Sequence, residues 1–519
     1  MADIETSDAE RTDAVANSQC FRLLDVLPEL LVHIFSFLPN SALYEVQQTS
    51  RFLRDFIGSS VELQYQMAAE TAQVTDNPTS PIPISERLRK LHAREEAFGE
   101  VEPSWKVSVP VNFQPTGLYE LSAGLFWLGE GPRRALRFLE LPSQPLEPGD
   151  PPPQWQRITL PSKESYIIDF GLAIEEHDLI AIASFTPTDN ANTGLVQLEL
   201  FTVSAPHGPH PEAQGPIKVH TSKWGKPNVI IEIVGDNLVF VVGYANAEGT
   251  ARPTDVVYVY DWKTGKQKLN IAADWSTYFG AVFLSPDVIM LPNTTSARLE
   301  LWSVAEPQKT PLLTLHLPRL VPGRTIRYMT ARGEPNPQAS YRKPRSMPFH
   351  SSVEDSIIVF QISLPSEPDL RAYRFLLFIH RRALLALLDN HAPGDSCGYA
   401  DWGPDICRWF NGAGLVMDWI TTTSGQRCVL LPNRVPSQFI MLDFNPIKAL
   451  SSPLEPEEDA FVDLGIWAEP VCSRLPCHVA SSRELANLYS GASLDDHRII
   501  ALRRNLFRQV SELDIHYFG

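Results

Sequence analysis

Residues 236–262 read DNLVFVVGYANAEGTARPTDVVYVYDW. Two apolar runs, Leu238–Val242 and Val256–Tyr260, are each led by an aspartate and separated by a polar stretch holding Gly and Pro. Each run is too short for a helix of ordinary length. Both are rich in Val, Tyr and Phe, which fit a pleated, buried strand. The pair therefore reads as two neighbouring strands, and the same pairing recurs on either side. Asp178-Leu-Ile-Ala-Ile-Ala-Ser-Phe leads to Leu195-Val-Gln-Leu-Glu-Leu-Phe, and Asp287-Val-Ile-Met-Leu leads to Ala297-Arg-Leu-Glu-Leu-Trp. Asp355-Ser-Ile-Ile-Val-Phe leads to Tyr373-Arg-Phe-Leu-Leu-Phe, and Arg427-Cys-Val-Leu-Leu leads to Gln438-Phe-Ile-Met-Leu-Asp-Phe. Gly124-Leu-Phe-Trp-Leu-Gly with Ala135-Leu-Arg-Phe-Leu-Glu-Leu begins the series, and Asp496-His-Arg-Ile-Ile-Ala-Leu with Leu513-Asp-Ile-His-Tyr-Phe ends it.

About seven copies at a spacing of roughly 50–70 residues predict a β-propeller of about seven degenerate blades over residues 105–519. A pair of β-sandwiches is the other β architecture compatible with such strands. A ring must be closed, and the strand candidate Trp105–Val111 has no partner in its own copy. It is predicted to pair with the last copy, near Glu512–Phe518. The Pro-rich stretches 142–153, 205–216, 332–349 and 451–459 read as loops between strands. The aromatic cluster Tyr399–Phe410 reads as packing between blades in preference to an exposed recognition patch.

The region before residue 105 has a different character. Residues 1–20 are acidic and polar and predict a disordered tail. In residues 21–65, LPELLVHIFSFLPNSALYEVQQTSRFLRDFI (27–57) predicts three short helices. Pro28 suits a first helical position, Asn40 or Ser41 a second cap and Ser50 a third. Their apolar side chains exceed what three short helices can enclose, so part of this surface must lie against something else. Residues 66–104 predict a linker, with prolines 78, 81 and 83 excluding helix and ladder, and then a bridging helix. That helix is expected to be capped by Ser85, to end at Gly99 and to bury Leu88, Leu91 and Phe98. Arg87, Arg89, Lys90, Arg94, Glu95 and Glu96 are expected on its solvated side. The whole chain thus reads as α+β and multidomain, a small helical part followed by an all-β domain.

The order of residues in 27–56 resembles the F-box, of the fungal type in which helices precede a β-rich region. The resemblance rests on Leu27, Pro28, Leu30, Leu31, Ile34, Phe35, Leu38, Leu43, Val46, Ser50, Arg51, Phe52, Leu53 and Phe56, and covers about 45 residues. The family often has Val-Cys before the third helix and Leu-Trp at the end, where this chain has Gln48-Thr49-Ser50 and Leu63-Gln64-Tyr65. The resemblance implies a substrate-recognition subunit of an SCF-type ubiquitin ligase. It implies that Leu27, Pro28, Leu30, Leu31, Ile34, Phe35, Leu38, Leu43, Val46, Phe52, Leu53 and Phe56 bind a Skp-type adaptor and, through it, cullin, while the β domain holds a target protein. A scaffold acting outside the ligase, and a propeller enzyme with a helical appendage, are the alternatives.

Composition narrows the classes. The net charge of −17 disfavours nucleic acid and anionic membrane as partners, since both attract cationic surfaces. Six cysteines in 519 residues are too few for a disulfide scaffold. No apolar run reaches the length of a membrane span, and the acidic N-terminal residues do not form a secretion signal, so cytoplasm or nucleus is expected. No nucleophile elbow, phosphate loop or zinc-protease motif is present. Cys472, Cys477 and His478, with His391 and Cys397, do not have structural-zinc spacing, and ordinary buried thiols are expected. No catalytic residue, cofactor or metal is predicted.

Overall fold

The computed structural model describes residue 23 and residues 26–188, 192–244, 252–306, 308–338, 347–365, 372–416, 421–451, 460–461 and 465–519. The predicted disordered tail, 1–20, and the insertion 452–459 lie outside them. The chain forms two compact units, residues 1–68 and 69–519.

The first unit is helical. Helix α1 (Pro28–Phe35) begins on Pro28 and carries Glu29 in its first turn, both suited to a helix start. Helix α2 (Asn40–Thr49) has Pro39 at its N-cap, and the Asn40 amide instead donates to the Met67 carbonyl, so neither Asn40 nor Ser41 caps it. Helix α3 (Arg51–Ser59) is capped as expected, with the Ser50 hydroxyl accepting from the Leu53 N–H at 3.2 Å. Helix α4 (Val61–Ala72) runs across the boundary between the units. Leu31, Phe35, Leu43, Leu53, Ile57, Leu63 and Met67 form the core of this unit.

The second unit is a seven-bladed β-propeller. Its blades are the sheets whose inner strands are Pro115–Ser122, Tyr166–Ala173, Asn228–Val234, Val282–Ser285, Tyr328–Arg332, Thr423–Ser424 and Gly491–Leu494. Every apolar pair read from the sequence is the second and third strand of one blade. In blade three these are Asn237–Gly243 and Asp255–Asp261, paired antiparallel with Val239 opposite Val259.

The alternation in this decisive stretch has a plain cause. Leu238, Phe240 and Val242 face blade two, whereas Val239 and Val241 face blade four. A middle strand is therefore buried on both sides, and its residues read as a continuous apolar run. The outer strand Lys266–Ala273 keeps one exposed side and alternates. Seven apolar seams of this kind link each blade to the next, including one between blades seven and one that joins Leu513 and Ile515 to Phe126 and Leu128.

The ring closes where it was expected to. Trp105–Pro110 is the outermost strand of blade seven, with Trp105 opposite Tyr517 and Pro110 opposite Glu512. Trp105 and Tyr517 also stack, their rings 4.7 Å apart.

Three local expectations are corrected. The segment ahead of the prolines is not all linker, because Val74–Asp76 pairs with Phe349–Ser351, and Asn77 bonds the carbonyls of Met347 and Pro348. Helix α5 (Ile84–Glu100) has Pro83 at its N-cap, so Ser85 lies in its first turn, and it ends on Val101 in the left-handed region beyond Gly99. Its charged residues are not all solvated. Arg94 is 1% exposed, and Glu95 reaches Arg427 at 2.5 Å and Lys448 at 2.6 Å. Those cations hold the Glu95 carboxyl far below its usual range against the opposing effect of burial. Arg87 is buried too, bonded to Asp76 and to the carbonyls of Asn77, Ser80 and Ile82. A helix lying against blades six and seven, with Phe98 stacked on Phe518 at 4.4 Å, needs this side for docking. A fourth difference is the helix Arg381–Asp389, which follows a strand of blade five in a domain expected to be all-β.

Candidate interaction surfaces

The helical unit divides its apolar residues into two sets. Leu31, Phe35, Leu43 and Leu53 are buried inside its own core, and Leu38, Val46 and Phe56 are half-buried against that core. Leu27, Pro28, Leu30, Ile34 and Phe52 are exposed. Residues 30 and 34 are four apart on one stripe of α1, and the exposed Leu27 and Phe37 flank the two ends of that helix. Phe37 is 75% exposed, and Tyr44 on α2 is 50% exposed. Leu31 and Phe35 could not be separated from Leu30 and Ile34 in the sequence, because α1 is apolar on two sides and only packing shows which side is inward.

Two of the concave sites on the propeller are lined by residues of the inner strands. The first is the mouth of the central channel, where the turns after the inner strands converge. Arg332, at the end of the inner strand of blade five, reaches Glu120 of blade one at 2.8 Å and Glu232 of blade three at 2.7 Å. It also pairs with Glu334 at 3.0 Å, and Asn336 donates to Glu232 at 2.9 Å. One guanidinium thus ties three inner strands across the channel. Burial raises Glu120, and it lifts Glu334 to about 7 despite the attraction of Arg332. Asp169, on the inner strand of blade two, is likewise pushed up to about 7 by burial. The cavity here is about 120 Å³, well under the roughly 300–1,000 Å³ of ordinary small-molecule sites. Three carboxylates are engaged with Arg332, and the arrangement acts as a structural tie.

The second site is a groove of about 990 Å³ on the opposite face, where the connections into the inner strands of blades four and five meet those between the middle strands of blades three and five. Trp275, Phe279 and Tyr328 line it, with Phe279 and Tyr328 5.1 Å apart. The Trp275 indole N–H donates to the Tyr244 carbonyl at 2.6 Å, and the Arg252 guanidinium lies 4.1 Å over the indole ring. Arg327 and Arg374 line the same groove and are exposed. These residues are scattered in sequence, and no periodicity could have grouped them.

The aromatic cluster 399–410 is packing, as expected. Tyr399, Trp402 and Trp409 are buried between blades four and five, and the Tyr399 hydroxyl donates to the Cys472 carbonyl at 2.6 Å. Cys397, Cys407, Cys428 and Cys477 are buried, and burial lifts the Cys407 and Cys428 thiols to about 12. Among the described residues no group of three or more His, Cys, Asp or Glu side chains is placed to hold a metal ion. No described helix is long and apolar enough to cross a membrane.

The class of protein that these features define is a seven-bladed β-propeller joined to a small helical unit with an exposed apolar face. No family model and no curated protein matches the sequence. Among solved structures, the chain is similar to the C-terminal WD40 domain of Sif2, at 10% identity and a TM-score of 0.34, over 79% of this chain and 97% of that one. It is similar to the WD40 domain from Toxoplasma gondii coronin at 9% identity and a TM-score of 0.35, over 80% and 87%. A third is the β-propeller domain of the Trilobed protease from Pyrococcus furiosus, at 8% identity and a TM-score of 0.35, over 78% and 94%. The blade count and closure given above follow from this chain's own strand pairing.

Proposed function

We propose that this protein recruits a target protein to an SCF-type ubiquitin ligase, with the helical unit docking on a Skp-type adaptor and the propeller holding the target. The observation that carries this reading is the exposure of Leu27, Leu30, Ile34 and Phe37 on and beside a helix of a unit whose own core is already filled. Large apolar side chains left together on a small helical unit mark a docking face. The F-box resemblance, which includes Leu27, Leu30 and Ile34, implies the adaptor, and cullin follows through it. The role needs no catalytic residue in this chain. A rigid ring holding the target beside the ligase raises its effective concentration at the site of transfer. Cytoplasm or nucleus is the compartment in which such a ligase operates.

The test is affinity purification of the wild type beside a chain lacking residues 23–60. The proposal expects adaptor and cullin with the wild type only, and target proteins with both. Recovery of adaptor by the shortened chain would refute it.

A further inference from the structure

We infer that the groove beside Trp275, Phe279 and Tyr328 binds an unmodified acidic peptide segment of another protein. The inference deepens the target-holding part of the proposed function, and rests on that reading only for the bound protein being a target.

Charge is the first ground. The chain carries a net charge of −17, yet Arg327 and Arg374 line one groove, with Arg252 and Arg324 beside it. None of the four forms an ion pair or a side-chain hydrogen bond among the described residues. Elsewhere in the propeller, Arg137, Arg157, Arg332, Arg427, Arg498 and Arg503 all meet carboxylates. The only carboxylate among the described lining residues is Asp255, which is 1% exposed and accepts from the N–H groups of Thr277 and Tyr278. Cations gathered at one groove, unpaired among the described residues, create a local positive potential on an otherwise acidic molecule.

The second ground is the apolar floor. Arg252 stacks on Trp275 and Arg324 lies 5.8 Å from the Tyr373 ring, so these aromatics hold two guanidinium planes in place. Tyr328 remains 39% exposed beside Phe279. Planar guanidinium forks match carboxylates in bidentate fashion, and exposed aromatic rings accept an apolar side chain. An extended segment in which Asp or Glu alternates with an apolar residue satisfies both features. Single-stranded nucleic acid could also use cations and rings, but the rest of this strongly acidic surface would repel a long polyanion.

The experiment measures fluorescence anisotropy with the full chain and a labelled twelve-residue peptide in which Glu and Asp flank a central Phe-Leu pair. A peptide with Lys at every acidic position and a single-stranded oligonucleotide of equal charge serve as comparisons. Arg327→Glu combined with Arg374→Glu is expected to weaken acidic-peptide binding by about tenfold or more, without moving the thermal transition, because both side chains are exposed. Tyr328→Ala is expected to weaken it without altering its salt dependence. Ile34→Asp is expected to leave peptide binding intact even where adaptor binding is lost, which separates this inference from the ligase assignment. No binding of the acidic peptide, equal binding of the Lys peptide, tighter binding of the oligonucleotide, or no effect of the double charge reversal would each overturn it.

Discussion

Replacing Arg332 by Met should loosen the whole ring, and more so at alkaline pH. The side chain is held by Glu120, Glu232 and Glu334 at 2.7–3.0 Å, and the Glu120 and Glu232 side chains are only 10% and 6% exposed. Removing one member of such a buried ion-pair network leaves uncompensated charge and costs about 3–5 kcal/mol. With an unfolding entropy of about 2.1 cal/mol/K per residue, a ring of some 450 residues loses roughly 1 °C of Tm per kcal/mol, so a drop of about 3–5 °C is expected at pH 8. The pH dependence follows from the carboxyls. Asp169 and Glu334 are raised to about 7 in the folded ring, above their unfolded values of about 4. A raised carboxyl binds more protons in the folded state, so its contribution to stability falls as pH rises from about 4 through 7. Without Arg332 the remaining carboxyls rise further, and the deficit of the variant should widen between pH 5.5 and pH 8. Intrinsic fluorescence of the 11 tryptophans during heating reads this directly. Adding Glu120→Gln and Glu232→Gln should restore most of the loss at pH 8. An unchanged Tm at pH 8, or a deficit equal at both pH values, would refute the reasoning.

Four further outcomes are expected. Ile34→Asp should abolish adaptor capture in a pull-down while circular dichroism of the β-rich part is unchanged, because Ile34 lies on the exposed side of α1. Each large apolar side chain on that face should contribute about 1.5–3 kcal/mol when covered. Deleting residues 507–519 removes the partner of Trp105–Pro110 and the seam holding Leu513 and Ile515, and should lower the cooperative melting transition of the entire ring; an unchanged transition would count against closure. A chain starting at Ala69 should melt higher than one starting at Ser85, since the shorter one loses the ladder of Val74–Asp76 and the Asp76, Asn77 and Ser80 partners of Arg87. Acid titration should destabilise the docking of α5 as Glu95 protonates, its stabilising effect being present above about pH 4 and lost as pH falls; Glu95→Gln should remove that acid-dependent part.

The blades were legible because their middle strands are buried on both sides. Leu238, Val239, Phe240 and Val241 divide between two seams, so the sequence has no polar gap there and the run is conspicuous. Inner and outer strands carry channel-facing or solvent-facing residues, such as Glu120 and Glu232 inside and Lys266 and Gln267 outside, and their pattern dissolves into that of loops. The closing strand was found from an absence of local partners. The burial of Arg94 and Glu95 was not legible, because a charged pair on a helix looks the same in water and in a seam until Arg427 and Lys448, more than 300 residues away, are brought beside it. The arginines of the groove were hidden for the same reason.

Closure by Trp105–Pro110 on Val510–Tyr517 sets a timetable for biosynthesis. Blade seven lacks its central strands until more than 400 further residues have followed Trp105 out of the ribosome. At about 5–20 residues per second, that interval is on the order of 20–80 s. Throughout it the leading strand waits with an unpaired edge, and blade one waits with Phe126 and Leu128 uncovered on the side that blade seven will occupy. Until closure the nascent ring leaves that seam and strand edge uncovered, and the apolar helices emerge before the ring is shut.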